Sequence, residues 1–183
     1  MIFTGTRLAG AFVIDLEPRV DERGLFARSF CEAEFGAHGL PTRFPQCNIS
    51  RSIRSGTLRG MHFQAAPHRE GKLVRCSAGS VFDVIIDLRV SSPTRFEWLG
   101  VELTAESGRA LFVPEGFAHG FITLRDDTEI FYQMSSPYHA ESARGLRWND
   151  PAFAVRWPIS PVVMTSRDAS YPDFDLATFD GEP

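Results

Sequence analysis

Cysteine is scarce in this 183-residue sequence. The three cysteines, Cys31, Cys47 and Cys76, are odd in number and form no Cys-x-x-Cys pair, so neither a disulfide framework nor a zinc knuckle is indicated. A chain without disulfides suits a reducing compartment, and its first residues lack the long apolar core of a secretory signal. We therefore expect a soluble, cytoplasmic protein.

Positive charge is not in excess, and long apolar runs are missing. Nineteen lysines and arginines stand against 23 aspartates and glutamates, a net charge of −4, which argues against a general nucleic-acid surface. A local arginine cluster can still bind a small anion. No apolar run approaches the roughly 20 residues that a membrane-spanning helix needs. We expect neither nucleic acid nor a membrane as a partner.

The sequence does contain a series of short alternating segments with turn residues between them. Its length suits a single domain over residues 1–183, and one short helix is predicted at residues 32–38, stopped by Gly39 and Pro41. Strands are predicted from the alternation of apolar and polar residues at residues 11–16, 25–30, 46–50, 56–64, 72–76, 81–90, 98–104, 110–113, 119–124 and 128–134.

Three details refine this reading. The β-branched residues within 81–90 predict a strand buried on both faces, and Asp126-Asp127 predicts a hairpin tip. The tail from Tyr138 onward is rich in proline and tryptophan and is expected to wrap over the sheets as loops and short turns. Many short strands with little helix favour an all-β, double-sheet jelly roll, a fold that holds one ligand between its sheets.

Residues 56–64, Gly-Thr-Leu-Arg-Gly-Met-His-Phe-Gln, are the stretch richest in chemistry. If the segment is a strand, Arg59, His62 and Gln64 stand at near-alternate positions and point into one concave surface. Taken alone, the stretch fits an ordinary half-exposed strand equally well.

A second stretch, residues 108–121, resembles the second sequence motif of the cupins. Gly108, Pro114, Gly116 and His119 fall in its register, which predicts a strand, a tight turn and a second strand with an inward histidine. The first cupin motif normally supplies His-x-His and a glutamate to a metal ion. Here it reads His62-Phe63-Gln64, so the second histidine is missing.

Nearly the whole chain then resembles the dTDP-4-dehydrorhamnose 3,5-epimerase family, a metal-free branch of the cupins. The resemblance implies a double-stranded β-helix (the cupin jelly roll) with short helices and a wrapping C-terminal tail. It also implies a homodimer that needs no cofactor and acts on a nucleotide-diphosphate sugar. The matching segments are residues 21–26, 46–50, 58–64, 72–75, 82–84, 87–89, 92–94, 114–121, Tyr132, 148–151, 157–158 and 166–168.

The resemblance also implies catalytic roles. Family members remove a proton next to a ketone and return one to the opposite face of the sugar. His62 is then the general base, with Asp168 paired to it, because an imidazole can accept and release a proton near neutral pH. Lys72 faces the C4 oxygen and stabilises the enolate charge, and Tyr132 delivers the new proton.

Binding roles follow from the same resemblance. The implied contacts with the diphosphate or sugar are Arg59, Arg167, His119 and Arg23, the last reaching in from the partner subunit. The implied nucleotide contacts are Gln46, Asn48 and Tyr138, the last stacking on the base, and Phe26 and Arg28 are further implied substrate-binding residues.

Three positions depart from the family pattern. Arg28 stands where a glutamate that helps to read the nucleotide is usual, Glu70 where a glutamine is frequent, and Ala143 where a glutamate is expected, with Glu141 nearby. The fold and the proton chemistry do not depend on these residues. Strict thymidine specificity and epimerisation at both carbons do not follow from the sequence.

Two alternatives remain open from the sequence. One is a metal cupin, a sugar isomerase or an oxygenase, whose candidate ligands are His62, His68, Glu70 and His119; the missing His-x-His weakens it. The other is a non-catalytic sugar-binding cupin, which has no need of the complete set His62, Lys72, Tyr132 and Asp168.

Overall fold

Two antiparallel sheets face each other in this protein, whose structure, a computed structural model, describes residues 1–177 and 179. The strands are β1 (Ile2–Gly5), β2 (Phe12–Asp15), β3 (Arg19–Asp21), β4 (Gly24–Phe26), β5 (Gln46–Ser52), β6 (Leu58–Gln64), β7 (Lys72–Ala78), β8 (Ser80–Asp87), β9 (Trp98–Thr104), β10 (Ala110–Val113), β11 (Phe117–Thr123), β12 (Thr128–Met134) and β13 (Ala143–Gly145). The helices are α1 (Glu32–Ala37), a 3₁₀ turn (Ala140–Ser142) and α2 (Ser166–Ala169).

The strand order is that of a jelly roll. One sheet runs β1-β2-β10-β7-β12-β5 and the other runs β13-β6-β11-β8-β9, while β3 and β4 form a separate two-stranded hairpin. From β5 to β8 and again from β9 to β13, each strand joins the sheet opposite to that of the strand before it. The predicted all-β cupin fold is confirmed. Within the described part of the chain, no helix has the length and apolar character to cross a bilayer.

The core explains why β8 is buried on both faces, as its sequence predicts. Val81 and Ile85 pack in the cluster between the sheets, together with Leu111 of the opposite sheet. Val84 and Ile86 point the other way, into a second cluster that includes residues of the C-terminal tail. The tail therefore covers the outer face of the five-stranded sheet, because apolar side chains on that face need shielding from water.

A third apolar cluster fixes the only helix that the sequence predicts. Phe35 of α1 is fully buried against Ile14, Leu73 and Phe112 on the outer face of the six-stranded sheet. The helix spans Glu32–Ala37, with His38 as its C-cap and Gly39 at a φ of +69°. The predicted helix at residues 32–38 is thus confirmed.

The predicted hairpin at Asp126-Asp127 is wrong. β11 lies between β6 and β8, whereas β12 lies between β7 and β5 in the other sheet. Residues 124–127 therefore carry the chain across from one sheet to the other. Turn-forming residues signal that the chain reverses, but they do not encode which sheet receives the next strand.

Two shorter elements also differ from the sequence predictions. The strand predicted over residues 25–30 ends at Phe26, since β4 covers only Gly24–Phe26. The tail, expected to hold only loops and turns, also contains β13, which pairs with β6, and the short helix α2. Three or four residues are too few for an apolar periodicity to be recognised.

A β-bulge in β6 decides which side chains face inward. His62 pairs with His119 and Arg59 pairs with Phe121, so β6 uses one residue more than β11 over the same distance. Gly60 stands in the bulge at a φ of +133°, and a Cβ added there would lie 2.5 Å from the Cα of Gly120. Only glycine fits this position. The extra residue lets Arg59 and His62 share one face.

Candidate active site

A cavity of about 580 Å³ opens between the two sheets. Strands β5, β7 and β12 supply one wall, β6 and β11 supply the other, and α2 contributes from the side. The structure brings most of the predicted site residues into this cavity. They are Gln46, Asn48, Arg59, His62, Lys72, His119, Tyr132, Tyr138, Arg167 and Asp168.

A histidine–carboxylate pair stands on one side of the cavity. His62 Nε2 lies 2.7 Å from Asp168 Oδ1, and the carboxylate is 5% exposed while the imidazole is 44% exposed. Asp168 sits in the first turn of α2, where its backbone N–H donates to the capping hydroxyl of Thr165. A carboxylate must accept here, so Nε2 carries the proton and Nδ1 is free to accept one.

The environment favours the uncharged form of this imidazole. Burial lowers the pKa of His62 from its usual value of 6.5, while the hydrogen bond and charge of Asp168 act in the opposite direction. A neutral ring is the form that a general base needs.

A lysine and a tyrosine face the cavity from the six-stranded sheet. Lys72 Nζ lies 2.9 Å from Glu70 Oε1, and both side chains are buried. Tyr132 is half-buried, and desolvation raises the pKa of its phenol above 10, with the charge of Arg59 opposing the shift. The tyrosine is therefore protonated over the whole neutral range, and the lysine is anchored by an ion pair.

A second histidine–carboxylate pair is buried, and its histidine lines the cavity. His119 Nε2 lies 2.8 Å from Asp83 Oδ1, and His119 stands directly opposite His62 across β11 and β6. Asp83 received no role from the sequence, although a carboxylate within the apolar run 81–90, which also contains Asp87, is the signal that marks it. An unpaired carboxylate there would be costly to bury.

The other end of the cavity carries amides and an exposed ring. Gln46 and Asn48 alternate on β5 and their side chains are 3.2 Å apart. Gln46 Oε1 also accepts from the backbone N–H of Tyr138, and the ring of Tyr138 is 54% exposed. Arg59 donates to the carbonyl of Arg51.

Three predicted binding residues lie outside the cavity of their own chain. Arg23 is 84% exposed and pairs with Asp21 in the β3–β4 hairpin, and Phe26 is 73% exposed at the end of β4. Arg28 is also exposed and pairs with Glu34. Any contact of these residues with a ligand in the cavity would have to come from a second subunit, and for all three that role stays a prediction.

Several residues at the site were given no binding or catalytic role by the sequence. One of them is Thr165. Its hydroxyl caps α2, a helix that the sequence did not predict, and this cap fixes Asp168. Another is Arg144, which lines the cavity from β13, a strand that the sequence did not predict. Glu70, a candidate ligand only in the metal-cupin alternative, is instead the ion-pair partner of Lys72.

The ligand set of the metal-cupin alternative does not come together. His62 and His119 each direct Nε2 at a carboxylate, and His68 stacks instead on His139 outside the cavity lining. Among the described residues, the side chains close enough to share an ion are His68, His139 and Glu141. The expectation that the reaction needs no metal stays a prediction.

Fold and cavity together define a cupin-type protein with a histidine–carboxylate pair, a lysine and a tyrosine held between two sheets. The family follows from comparison with known sequences. The family profile of dTDP-4-dehydrorhamnose 3,5-epimerase matches residues 5–175, and this chain belongs to that family.

Known relatives agree with this assignment over almost the full length. A dTDP-4-dehydrorhamnose 3,5-epimerase from Sinorhizobium fredii is 44% identical over 94% of this chain and 89% of its own. The crystal structure of the same enzyme from Elizabethkingia anophelis superposes with a TM-score of 0.91 at 36% identity, covering 95% and 96% of the two chains. The epimerase of Legionella pneumophila was solved in complex with dTDP-4-keto-L-rhamnose. It superposes with a TM-score of 0.86 at 38% identity, covering 92% of this chain and 89% of its own.

Proposed function

We propose that this protein inverts C3, C5 or both in a nucleotide-diphosphate 4-keto-6-deoxyhexose, with a dTDP-linked sugar as its substrate, in the biosynthesis of a rhamnose-type deoxysugar. The observation that carries the proposal is the pair His62–Asp168. It opens onto a cavity that also holds Lys72 and Tyr132. A base, a cation and a weak acid around one cavity are what epimerisation next to a ketone requires.

His62 starts the reaction by removing the proton from the carbon next to the ketone. Its free Nδ1 accepts the proton, and the buried Asp168 then stabilises the imidazolium that forms. The pairing also fixes the tautomer, since the N–H must point at the carboxylate.

Lys72 stabilises the enolate that the first step creates. Removal of the carbon-bound proton places negative charge on the C4 oxygen, and an ammonium group in a partly dry cavity offsets that charge more strongly than water does. Glu70 holds the ammonium in place through the contact of 2.9 Å.

Tyr132 completes the inversion by protonating the opposite face. It stands on β12 of the six-stranded sheet, whereas His62 stands on β6 of the five-stranded sheet. A sugar between the sheets therefore has the base on one side and the acid on the other. The raised pKa of the phenol keeps its proton available.

The nucleotide and diphosphate extend toward the amide end of the cavity. Gln46 and Asn48 bind the nucleotide, Tyr138 stacks on the base, and Arg59 and Arg167 neutralise the diphosphate. His119 binds the sugar.

A homodimer completes each site in this proposal. Arg23 comes from the partner subunit to the diphosphate, Phe26 ends the same hairpin, and Arg28 lies two residues beyond it. Because Arg28 departs from the family pattern, the nucleotide preference is tested separately from the epimerase activity.

Turnover and ligand protection test the proposal together. We expect the protein to convert a dTDP-4-keto-6-deoxyglucose into its inverted product, followed by proton NMR. We also expect dTDP to raise the melting temperature more than UDP or GDP does at equal concentration, because a ligand that binds only the folded state stabilises it. Absence of inverted product would refute the epimerase assignment, and equal protection by all three nucleotides would refute the dTDP preference.

A further inference from the structure

Beside the mouth of the cavity, two histidines and a glutamate converge from two different loops. The rings of His68 and His139 are stacked, with centroids 3.6 Å apart, and His139 Nδ1 lies 3.2 Å from Glu141 Oε1. Donor atoms of all three side chains lie within 4.8 Å of one another. We propose that His68, His139 and Glu141 form a binding site for a zinc-like divalent cation, separate from the reacting groups.

The two histidines are held together by a buried amide rather than by chance proximity. Gln64 is 3% exposed; its Nε2 donates to the carbonyl of His68, and its Oε1 accepts from the backbone N–H of His139. The backbone N–H of Ala65 also donates to the carbonyl of Ser142. Both loops are therefore fixed before any ion arrives, which reduces the ordering cost of binding.

The donor set matches the preferences of zinc. Imidazole nitrogens and a carboxylate oxygen are usual zinc ligands, and three protein ligands with one water make a four-coordinate site. Ser142 Oγ lies 2.9 Å from His68 Nδ1, so it can orient that ring and leave Nε2 for the ion. Such an outer partner is a regular feature of histidine ligands.

The site is accessible and distinct from the catalytic pair. The side chain of His139 is 36% exposed and that of Glu141 is 69% exposed, and none of the three ligands lines the cavity. His62 and His119 are engaged with Asp168 and Asp83. A cation here would tie the loop after β6 to the segment after β12, next to Tyr138.

Calorimetric titration of the EDTA-treated, dialysed full chain with zinc alone tests the proposal. We expect one equivalent to bind, with affinity reduced at least about tenfold in His139→Gln and in His68→Gln. Ser142→Ala keeps every ligand but removes the hydroxyl that orients the ring of His68, so it should weaken zinc binding. The matched control is His38→Gln, because His38 is an exposed histidine that stacks on Phe3 instead and should bind zinc like the parent protein.

Each contrary outcome overturns the site. It is refuted by the absence of saturable binding, by equal affinity in His139→Gln and the parent, or by loss of binding in Cys47→Ser, which would place zinc at the exposed thiol. The turnover of the EDTA-treated protein keeps this inference apart from the proposed function. Full activity without metal is expected, whereas activity lost on chelation and regained with zinc would mean that the ion serves the reaction.

Discussion

At the scale of single residues, the proposed chemistry depends on the contact between His62 and Asp168. The carboxylate raises the pKa of an imidazole that burial lowers. The base must be neutral to act, so kcat/KM should fall as the pH drops through the pKa of His62, below about 6.5. The phenol of Tyr132 must keep its proton, so the alkaline limb should lie above pH 10.

Asp168→Asn should change this profile in a defined direction. Removing the charge removes an influence that raises the pKa of His62, so the acidic limb of kcat/KM should shift to lower pH. The plateau should fall by about 100-fold or more, since the imidazolium and the tautomer lose their partner. A pH–rate profile is the measurement. Glu106→Gln, an exposed carboxylate paired with Arg125, is the control; an acidic limb that stays in place in Asp168→Asn would contradict the account.

At the scale of elements, the bulge in β6 brings Arg59 and His62 onto the face of the strand that lines the cavity. Gly60→Ala should destabilise the protein by at least about 2 kcal/mol, because the added Cβ meets the Cα of Gly120 and the φ of +133° is strained for alanine. Urea denaturation measures the loss. Gly39→Ala is the matched control, since Gly39 also has a positive φ but nothing lies within 4 Å of its added Cβ. Equal losses in the two variants would show that close packing at Gly60 is unimportant.

The same bulge is a feature that no local sequence pattern predicts. The predicted shared face of Arg59 and His62 is confirmed, but the two residues are three positions apart and can share it only if the strand departs from strict alternation. Only the pairing of β6 with β11 reveals the extra residue. Strands such as β9, β10 and β12 were predicted with correct bounds because their apolar pattern is local. The hairpin at Asp126-Asp127 failed because sheet membership is a long-range property.

Some residues of the site were likewise indicated by the sequence, and others were not. The family motifs indicated His62, Lys72, Tyr132 and Asp168, and all four line one cavity. The pairing of Asp83 with His119 joins residues 36 positions apart, and no local pattern in the sequence reports such a contact.

At the scale of the whole molecule, the β3–β4 hairpin exposes apolar side chains that the proposed homodimer would bury. Val20, Leu25 and Phe26 are 75%, 63% and 73% exposed, and an isolated two-stranded hairpin is marginally stable in water. Burying three large apolar side chains would stabilise it by several kcal/mol, at about 1.5–3 kcal/mol each. A second copy of this chain is the partner that the proposed function requires.

Mixing two inactive variants tests the shared site. Arg23→Ala and His62→Ala chains should each have low activity as pure dimers. In a mixed dimer one site loses both residues and the other keeps both, so activity should recover to roughly half per mixed dimer if Arg23 crosses the interface. Native mass spectrometry would verify that mixed dimers form. Verified mixed dimers without recovery would mean that Arg23 does not serve the partner's site.

The central claim is that removal and return of the proton belong to different residues on different sheets, and hydrogen exchange in heavy water tests it most directly. Proton NMR of a 4-keto nucleotide sugar would follow both the loss of the C3 or C5 hydrogen and the inversion at that carbon. Tyr132→Phe should exchange the hydrogen for deuterium through His62 yet form little inverted product, while His62→Ala should do neither. Undiminished exchange by His62→Ala, or full inversion by Tyr132→Phe, would contradict the account.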